Sequence, residues 1–400
     1  MKVGIDAIGL AVPPTYLELA DLARARGVAP EKYIDGLGTT RMSVALADED
    51  AVTLSARAAA QALASAGVDA NEIGLCVVGT ETAVDHSKPV ASYVQGLIGL
   101  PSTCRIFEAK HACYGGTAGL QTALDWIRSG SAEGKKALVI CADIARYGVK
   151  TPGEPTQGAG AVALLVSESP RLVSFEAGKV GTYSADVSDF WRPLYSKDAI
   201  VDGHYSVTCY LQAVEGSFRA YKEKAGLPEN ARVTESFAAI AYHVPYGKMA
   251  RKAHRQLRGL EGDVNPDASF ERQVAPGLVL PAQIGNIYTG SLYLSLASTL
   301  AMFPRKLDGE RIGLFSYGSG CCSELFSAVV EPGAQARVRA SGILELLEQR
   351  RPVTVPEYEQ VMAEREELDT RPARPADDAE PGKYLGVQQH RRVYSKAKVP

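Results

Sequence analysis

The chain has 400 residues, 46% of them hydrophobic and 22% charged, with a formal net charge of −3. That length exceeds one ordinary domain and suits two domains or a fused duplication of about 150–200 residues each, with a large core. The charge balance lacks the basic footprint of general nucleic-acid binding, and no apolar run approaches the roughly 20 residues that cross a bilayer.

The opening segment, Met1 to Asp6 with prolines at 13 and 14, predicts a strand ending in a turn rather than a signal peptide. Strand-like apolar runs follow at Val3–Val12, Ile73–Val78, Arg105–Ala109, Ala137–Cys141 and Ala161–Val166. Between them, alanine-rich helical faces run over Thr53–Ala66, Pro89–Ile98 and Ala118–Arg128. The second half repeats this texture, with strands near Ala238–His243, Arg311–Tyr317 and Glu324–Val330 and helices near Val207–Glu223, Lys248–Arg258 and Gly290–Phe303. Buried strands alternating with amphipathic helices predict an α/β fold. Two such halves suggest an internal duplication with a site where they meet. From Glu345 to Asp369 the chain is charge-rich and helical in pattern; Thr370–Gly382 reads as a Pro- and Asp-rich linker, and Tyr384–Tyr394 as a short returning strand or a segment lying along the body. The expected division is 1–170, 171–345 and a charged extension over 346–400.

The seven cysteines form no C-x-x-C pair and no zinc-type spacing with histidine, so no metal site is expected. Their odd number, scattered through apolar runs, reads as reduced thiols in the cytoplasm.

Four reactive or polar residues stand where apolar strands end or helices begin, the place where α/β sheets gather ligands. Cys113 lies in His111-Ala112-Cys113-Tyr114-Gly115-Gly116-Thr117, at a predicted helix N-terminus that would stabilise a thiolate. Glu81 follows the Cys76–Thr80 strand tip, His243 follows Ala238–Tyr242, and Asn286 precedes a long helix. Each has a plainer alternative: a buried structural cysteine, a neighbour of a helix cap, a core histidine bonded to a carbonyl, a turn residue. Ser319 in Tyr317-Gly318-Ser319-Gly320 is either loop chemistry or part of a turn whose N–H groups receive an oxyanion. Gly158-Ala159-Gly160 lacks both Rossmann and P-loop spacing. A cysteine protease would leave Glu81 and the duplicated layout unexplained.

Taken in order, the motifs resemble 3-hydroxy-3-methylglutaryl synthases, condensing enzymes of the thiolase superfamily. The resemblance spans roughly residues 3 to 330. It rests on Gly79–Thr82, Ala112–Thr117, Gly153–Ala163, Asp189-Phe190-Trp191-Arg192-Pro193, Val201–Ser206, His243-Val244-Pro245, Gly285–Ser291 and Phe315–Gly320. It implies a thiolase-like fold of two pseudo-duplicated αβαβα halves with mixed five-stranded sheets, and a homodimer. It implies Cys113 as acetyl acceptor, Glu81 as base and His243 as partner of the acceptor ketone. Tyr114, Asp143, Asp202, Asn286, Tyr317, Gly318 and Ser319 become orienting or oxyanion residues. A carboxylate base suits direct proton abstraction, unlike the decarboxylative relatives that use Cys with His and Asn or two His.

Two branches share this chemistry. One uses acetyl-CoA and acetoacetyl-CoA for mevalonate synthesis; the other installs polyketide β-branches on phosphopantetheine-bearing acyl carrier proteins, one as acetyl donor and one as β-ketoacyl acceptor. The basic helix after His243, with Lys248, Arg251, Lys252 and Arg255, favours an acidic carrier protein. The same helix could instead bind coenzyme A phosphates or be a solvated face. Glu81–Pro89, His111–Leu120 and Asp202–Tyr210 also look more like the polyketide synthases, so the carrier-protein branch is the expected one and the coenzyme A branch its alternative. No permanently bound cofactor, nucleic acid or membrane partner is expected.

Overall fold

The computed structural model describes residues 1–228, 230–375 and 382–395. Nine strands build the main sheet: β1 Gly4–Ala11, β2 Ile73–Gly79, β3 Arg105–Ala109, β4 Lys136–Ile144, β5 Ala159–Ser167, β6 Val173–Ser184, β7 Ala239–Tyr242, β8 Arg311–Gly318 and β9 Cys322–Val330. Their spatial order is β7-β8-β9-β6-β1-β5-β4-β2-β3. The order reads symmetrically outward from the seam where β1 meets β6, whose register pairs Gly4 with Ser174 and Ile5 with Val173. On each side the first strand pairs antiparallel with the last of its half (β1–β5, β6–β9), which pairs antiparallel with the one before it (β4, β8). Parallel neighbours follow, β2 beside β4 and β7 beside β8. The first half therefore contributes the expected five strands. The second contributes four among the described residues, with no counterpart of β3, and the two sets join into one sheet rather than standing as separate five-stranded sheets.

Five layers follow from where alternate side chains go. Along β4, Ala137, Val139 and Cys141 join the central core, while Leu138, Ile140 and Ala142 join an outer one. That is the period-two signature of a strand buried on both faces. The central core holds helices α3 (Gly115–Arg128) and α6 (Ser291–Met302) between the half-sheets. α6 is buried from Ser291 to Ala301, which its sequence allows by carrying no charge. Helices α1 (Ala51–Ala66) and α2 (Val90–Ile98) cover the first outer face; α4 (Gly203–Lys224) and α5 (Gly247–Leu260) cover the second. α1 begins at a reciprocal capping box between Asp50 and Thr53 and ends at a left-handed Gly67.

Two elements differ from the sequence pattern. β6 has no continuous apolar run, because beyond Phe175 it is largely exposed and carries Glu176, Lys179 and a left-handed Gly178. The stretch over 345–369 is not one helix: Arg351–Pro352 breaks it to pair in parallel with Thr15–Tyr16, between a short helix Ile343–Glu348 and α7 (Val355–Glu366). Residues 384–394 do return, as a hairpin of Tyr384–Gln388 and Arg391–Tyr394. Residues 376–381 of the expected linker and 396–400 of the extension lie outside the described residues.

Candidate active site

The reacting pair is set by two close approaches. At Gly79 of β2 an added Cβ would lie 2.4 Å from the Gly116 nitrogen, and at Gly116 one would lie 2.5 Å from Cys141 Sγ. Only glycines let the start of α3 press against β2 and β4, which is why the helix runs back to Gly115 rather than starting at 118. Ahead of it the turn is tight, with Ala112 at φ 39° and the Tyr114 N–H donating to the His111 carbonyl at 3.0 Å. A non-glycine residue in the left-handed region stores strain that the surroundings must hold. Gly318 does part of this, since a Cβ there would meet Tyr114 N at 2.5 Å. The turn aims Cys113 Sγ at Glu81 Oε1, to which it donates at 3.2 Å.

Asp143, at the end of β4 and fully buried, organises this corner. Its Oδ1 accepts from the Glu81 N–H (2.9 Å), the Thr82 N–H (2.9 Å), Thr82 Oγ1 (2.8 Å) and Thr80 Oγ1 (3.0 Å). Its Oδ2 accepts from the Thr289 N–H (3.0 Å) and Thr289 Oγ1 (2.5 Å). One carboxylate thus ties the Glu81 strand tip to the turn before α6.

The second half supplies neutral groups. His243 follows β7; its N–H donates to the Phe315 carbonyl at 2.8 Å and its own carbonyl accepts from Tyr210 Oη at 2.7 Å. The Tyr210 ring lies 6.5 Å from the imidazole and 4.9 Å from Tyr317. Tyr317 Oη donates to Asp189 Oδ2 at 2.7 Å, and Asp189 Oδ1 accepts from the Gly320 N–H at 3.1 Å. Asn286 Oδ1 accepts from the Tyr288 N–H (2.9 Å) and Ser291 Oγ (2.8 Å), bracing the turn into α6. Phe190 packs on Tyr147 and Tyr288 with ring centroids 6.0 and 5.7 Å apart.

The charges explain the chemistry available. Burial, then the Asp143 charge, pushes the Glu81 carboxyl up to about 8; Arg192 and the Cys113 thiol pull it back. Burial pushes the Cys113 thiol well above its ordinary value, and Glu81 adds to this. The sequence suggested a thiolate stabilised by a helix N-terminus. Instead Cys113 precedes the N-cap, Tyr114, and is a thiol that donates to Glu81 Oε1. Burial alone lowers His243 to about 3, so its imidazole is neutral near pH 7.

Glu81, Cys113, Tyr114, Asp143, Tyr317 and Gly318 are thus brought together; His243 is linked to them through Tyr210, which packs on Tyr317, and Asn286 through the turn whose Thr289 binds Asp143. Ser319 is engaged at its backbone by the His111 ring. Within the expected 318–320 turn, the Gly320 N–H is already taken by Asp189 and is not a spare donor. Asp202 stands apart: it is exposed and caps α4 by accepting from the Tyr205 N–H at 3.1 Å. On the basic helix, Arg251 pairs with Asp267 and Glu271, and Arg255 with Asp267. The free positive face shrinks to Lys248 and Lys252, which carry no ion pair among the described residues. Sequence reading did not assign Asp189, Arg192, Tyr147 or Tyr288. The signal for Asp189 was an acid inside an aromatic motif, and it is fully buried. Among the described residues no group of three or more His, Cys, Asp or Glu is placed to hold a metal ion, and no helix is long and apolar enough to cross a membrane.

Comparison with known proteins agrees with this arrangement. Residues 1–170 match the family described as hydroxymethylglutaryl-coenzyme A synthase N terminal, and residues 173–265 and 263–397 match its C-terminal counterpart. The hydroxymethylglutaryl-CoA synthase of Enterococcus faecalis is 39% identical over 373 residues, covering 92% of this chain and 93% of the relative. The solved structure of MvaS in complex with 3-hydroxy-3-methylglutaryl coenzyme A is 48% identical, with a TM-score of 0.92 and 99% of both chains covered. The HMG synthase of the curacin biosynthetic pathway, solved in complex with holo donor-ACP, is 35% identical with a TM-score of 0.92, covering 99% of this chain and 100% of that one. The chain belongs to the hydroxymethylglutaryl-coenzyme A synthase family and is related to its polyketide β-branching members.

Proposed function

We propose, on the premise of that membership, that the chain joins an acetyl thioester to a β-ketoacyl thioester through an acetyl-Cys113 intermediate. The observation that carries this reading is the 3.2 Å contact between Cys113 Sγ and a carboxylate raised to about 8. As the thioester carbonyl is attacked, the thiol proton passes to Glu81 and on to the departing carrier thiolate, leaving Glu81 ionised. Glu81 then takes a proton from the acetyl methyl. A group with a pKa near working pH serves both roles. The Cys113 N–H holds the enolate oxygen, the Tyr114 and Gly115 N–H groups being bonded to the His111 and Ala112 carbonyls. The enolate carbon attacks the acceptor ketone, whose oxygen hydrogen-bonds to neutral His243 as charge develops and takes the proton held by Glu81. Water then cleaves the Cys113 thioester. Asp143 orients Glu81; Tyr317, fixed by Asp189, and Asn286 shape the acceptor side. The division at residues 170 and 345, cytoplasmic location and a homodimer are parts of the same reading.

Coenzyme A is the better supported carrier. Neutralising Arg251 and Arg255 within the chain removes half of the proposed docking charge for an acidic carrier protein, and identity is higher to the enzyme solved with a coenzyme A thioester. The carrier-protein reading keeps support from Lys248 and Lys252, which carry no ion pair among the described residues, and from the curacin enzyme seen with its donor ACP. Offering acetyl-CoA or acetylated carrier protein and weighing the Cys113 peptide by mass spectrometry tests both. Fast labelling from acetyl-CoA with turnover on acetoacetyl-CoA is expected; labelling from carrier protein alone would reverse the choice, and no adduct from either would refute the nucleophile.

A further inference from the structure

The segment after Asp189 reaches the site at one end and the C-terminal part of the chain at the other. At the site end, Asp189 is bonded to Tyr317 and Gly320, and Phe190 packs on Tyr147 and Tyr288. Beyond them the segment is thinly held. Its hairpin pairs only Phe190–Trp191 with Ile200–Val201, and Leu194 and Tyr195 are 91% and 89% exposed. A loop with so few buried contacts opens easily unless something else restrains it.

The restraint is ionic and runs to the end of α7. Arg146, buried and three residues past Asp143, receives the Ala199 N–H on its carbonyl at 3.0 Å. Its guanidinium donates to Asp198 Oδ1 at 3.2 Å and to Glu366. Lys197 Nζ donates to the Glu366 carbonyl at 2.5 Å and pairs with Asp369 at 3.0 Å. Asp369 is itself held by Arg392 at 2.7 Å, and Arg392 by the α1 cap Asp50 at 3.0 Å. α7 is a firm anchor, because buried Arg365 donates to the Leu46 and Glu49 carbonyls at 2.7 and 2.8 Å. One exposed pair restrains little, but here one guanidinium and one ammonium share four acceptors around a single loop. We propose that the C-terminal segment latches the 189–201 loop through Glu366 and Asp369, with Arg146 and Lys197 as positioning residues for the loop that carries Arg192.

The consequence is readable because Arg192 is the one cation among the groups acting on Glu81; the others are Asp143 and Cys113, with the phenols Tyr147 and Tyr288 close by. Releasing the loop removes that cation, and Glu81 then ionises at higher pH. The inference rests on the proposed role of Glu81 as base. The test follows loss of deuterium from the methyl of acetyl-Cys113 against pH in the wild type, Lys197→Met, Asp369→Asn and the double variant, with thermal melts to show that each folds. Each single variant should move the midpoint up by about 0.5 pH unit and slow exchange at pH 7 about threefold. The double should be no worse than the worse single, because both cut the same link. Unchanged midpoints in folded variants, or additive losses, would overturn the latch. Failure of the wild type to exchange at all would instead overturn the reading of Glu81.

Discussion

The two halves of the sheet, counted outward from the β1–β6 seam, present equivalent positions with opposite chemistry. Where β2 ends stands Glu81; where its counterpart β7 ends stands His243. β4 ends in Asp143 and β8 in Tyr317 and Gly318. The turn into α3 carries Cys113, and the turn into α6 carries Asn286. At these matched positions the first half holds the ionisable groups Glu81, Cys113 and Asp143, and the second holds the uncharged His243, Tyr317 and Asn286; the charged Asp189 and Arg192 come from the loop between β6 and α4. On the proposed reaction, the difference teaches how a duplicated scaffold can divide two substrates: one half would charge and deprotonate the acetyl group, the other would receive the ketone. Pushing the pKa values of the two halves apart, Glu81 up and His243 down, is what makes one an acid–base group and the other a neutral hydrogen-bond partner at the same pH.

Breaking the first half should cost most. Cys113→Ala should abolish both the acetyl adduct and condensation. Glu81→Gln should cut turnover roughly 10³–10⁴-fold while still accepting acetyl slowly, as product assays and adduct masses would read. Asp143→Asn faces an amide towards six donor contacts, and should lower stability by about 3 kcal/mol in denaturant melts. On the second side, His243→Ala should slow condensation about 10²-fold and leave adduct formation intact. The smallest effect in turnover is expected of Tyr317→Phe, about tenfold, through loss of its bond to Asp189.

Stability should show the same asymmetry. His243 and His254 are buried neutral, lowered from 6.5 to about 3 and about 4. The unfolded chain binds their protons first, so their contribution to stability is full above pH 6.5 and is lost as pH drops towards 3. Glu81 acts the other way, since its folded pKa lies above the ordinary 4.5; stability falls as pH rises from about 4.5 to 8, and Glu81→Gln should remove that limb from a plot of melting temperature against pH.

Much of this contrast was legible in the chain. The strand-tip positions of Glu81 and His243 show as polar residues closing apolar runs. The partners of those groups were less legible, because a single acid such as Asp189 or Asp202 reads alike whether it ends up buried against Tyr317 or exposed as a helix cap. Nor does a basic helix announce its own neutralisation: Asp267 and Glu271 lie on the next helix, Pro266–Gln273. β6 was invisible because half of it faces solvent, and the C-terminal latch because Glu366 and Asp369 meet Arg146 and Lys197 from over 160 positions away.

The most direct test of the division of labour uses acetyl-CoA deuterated at the methyl. Wild type, Glu81→Gln and His243→Ala would be followed for two masses, the acetyl adduct on Cys113 and the loss of its deuterium. The account predicts adduct and exchange in wild type and in His243→Ala, and adduct without exchange in Glu81→Gln. Exchange persisting in Glu81→Gln, or disappearing in His243→Ala, would contradict it.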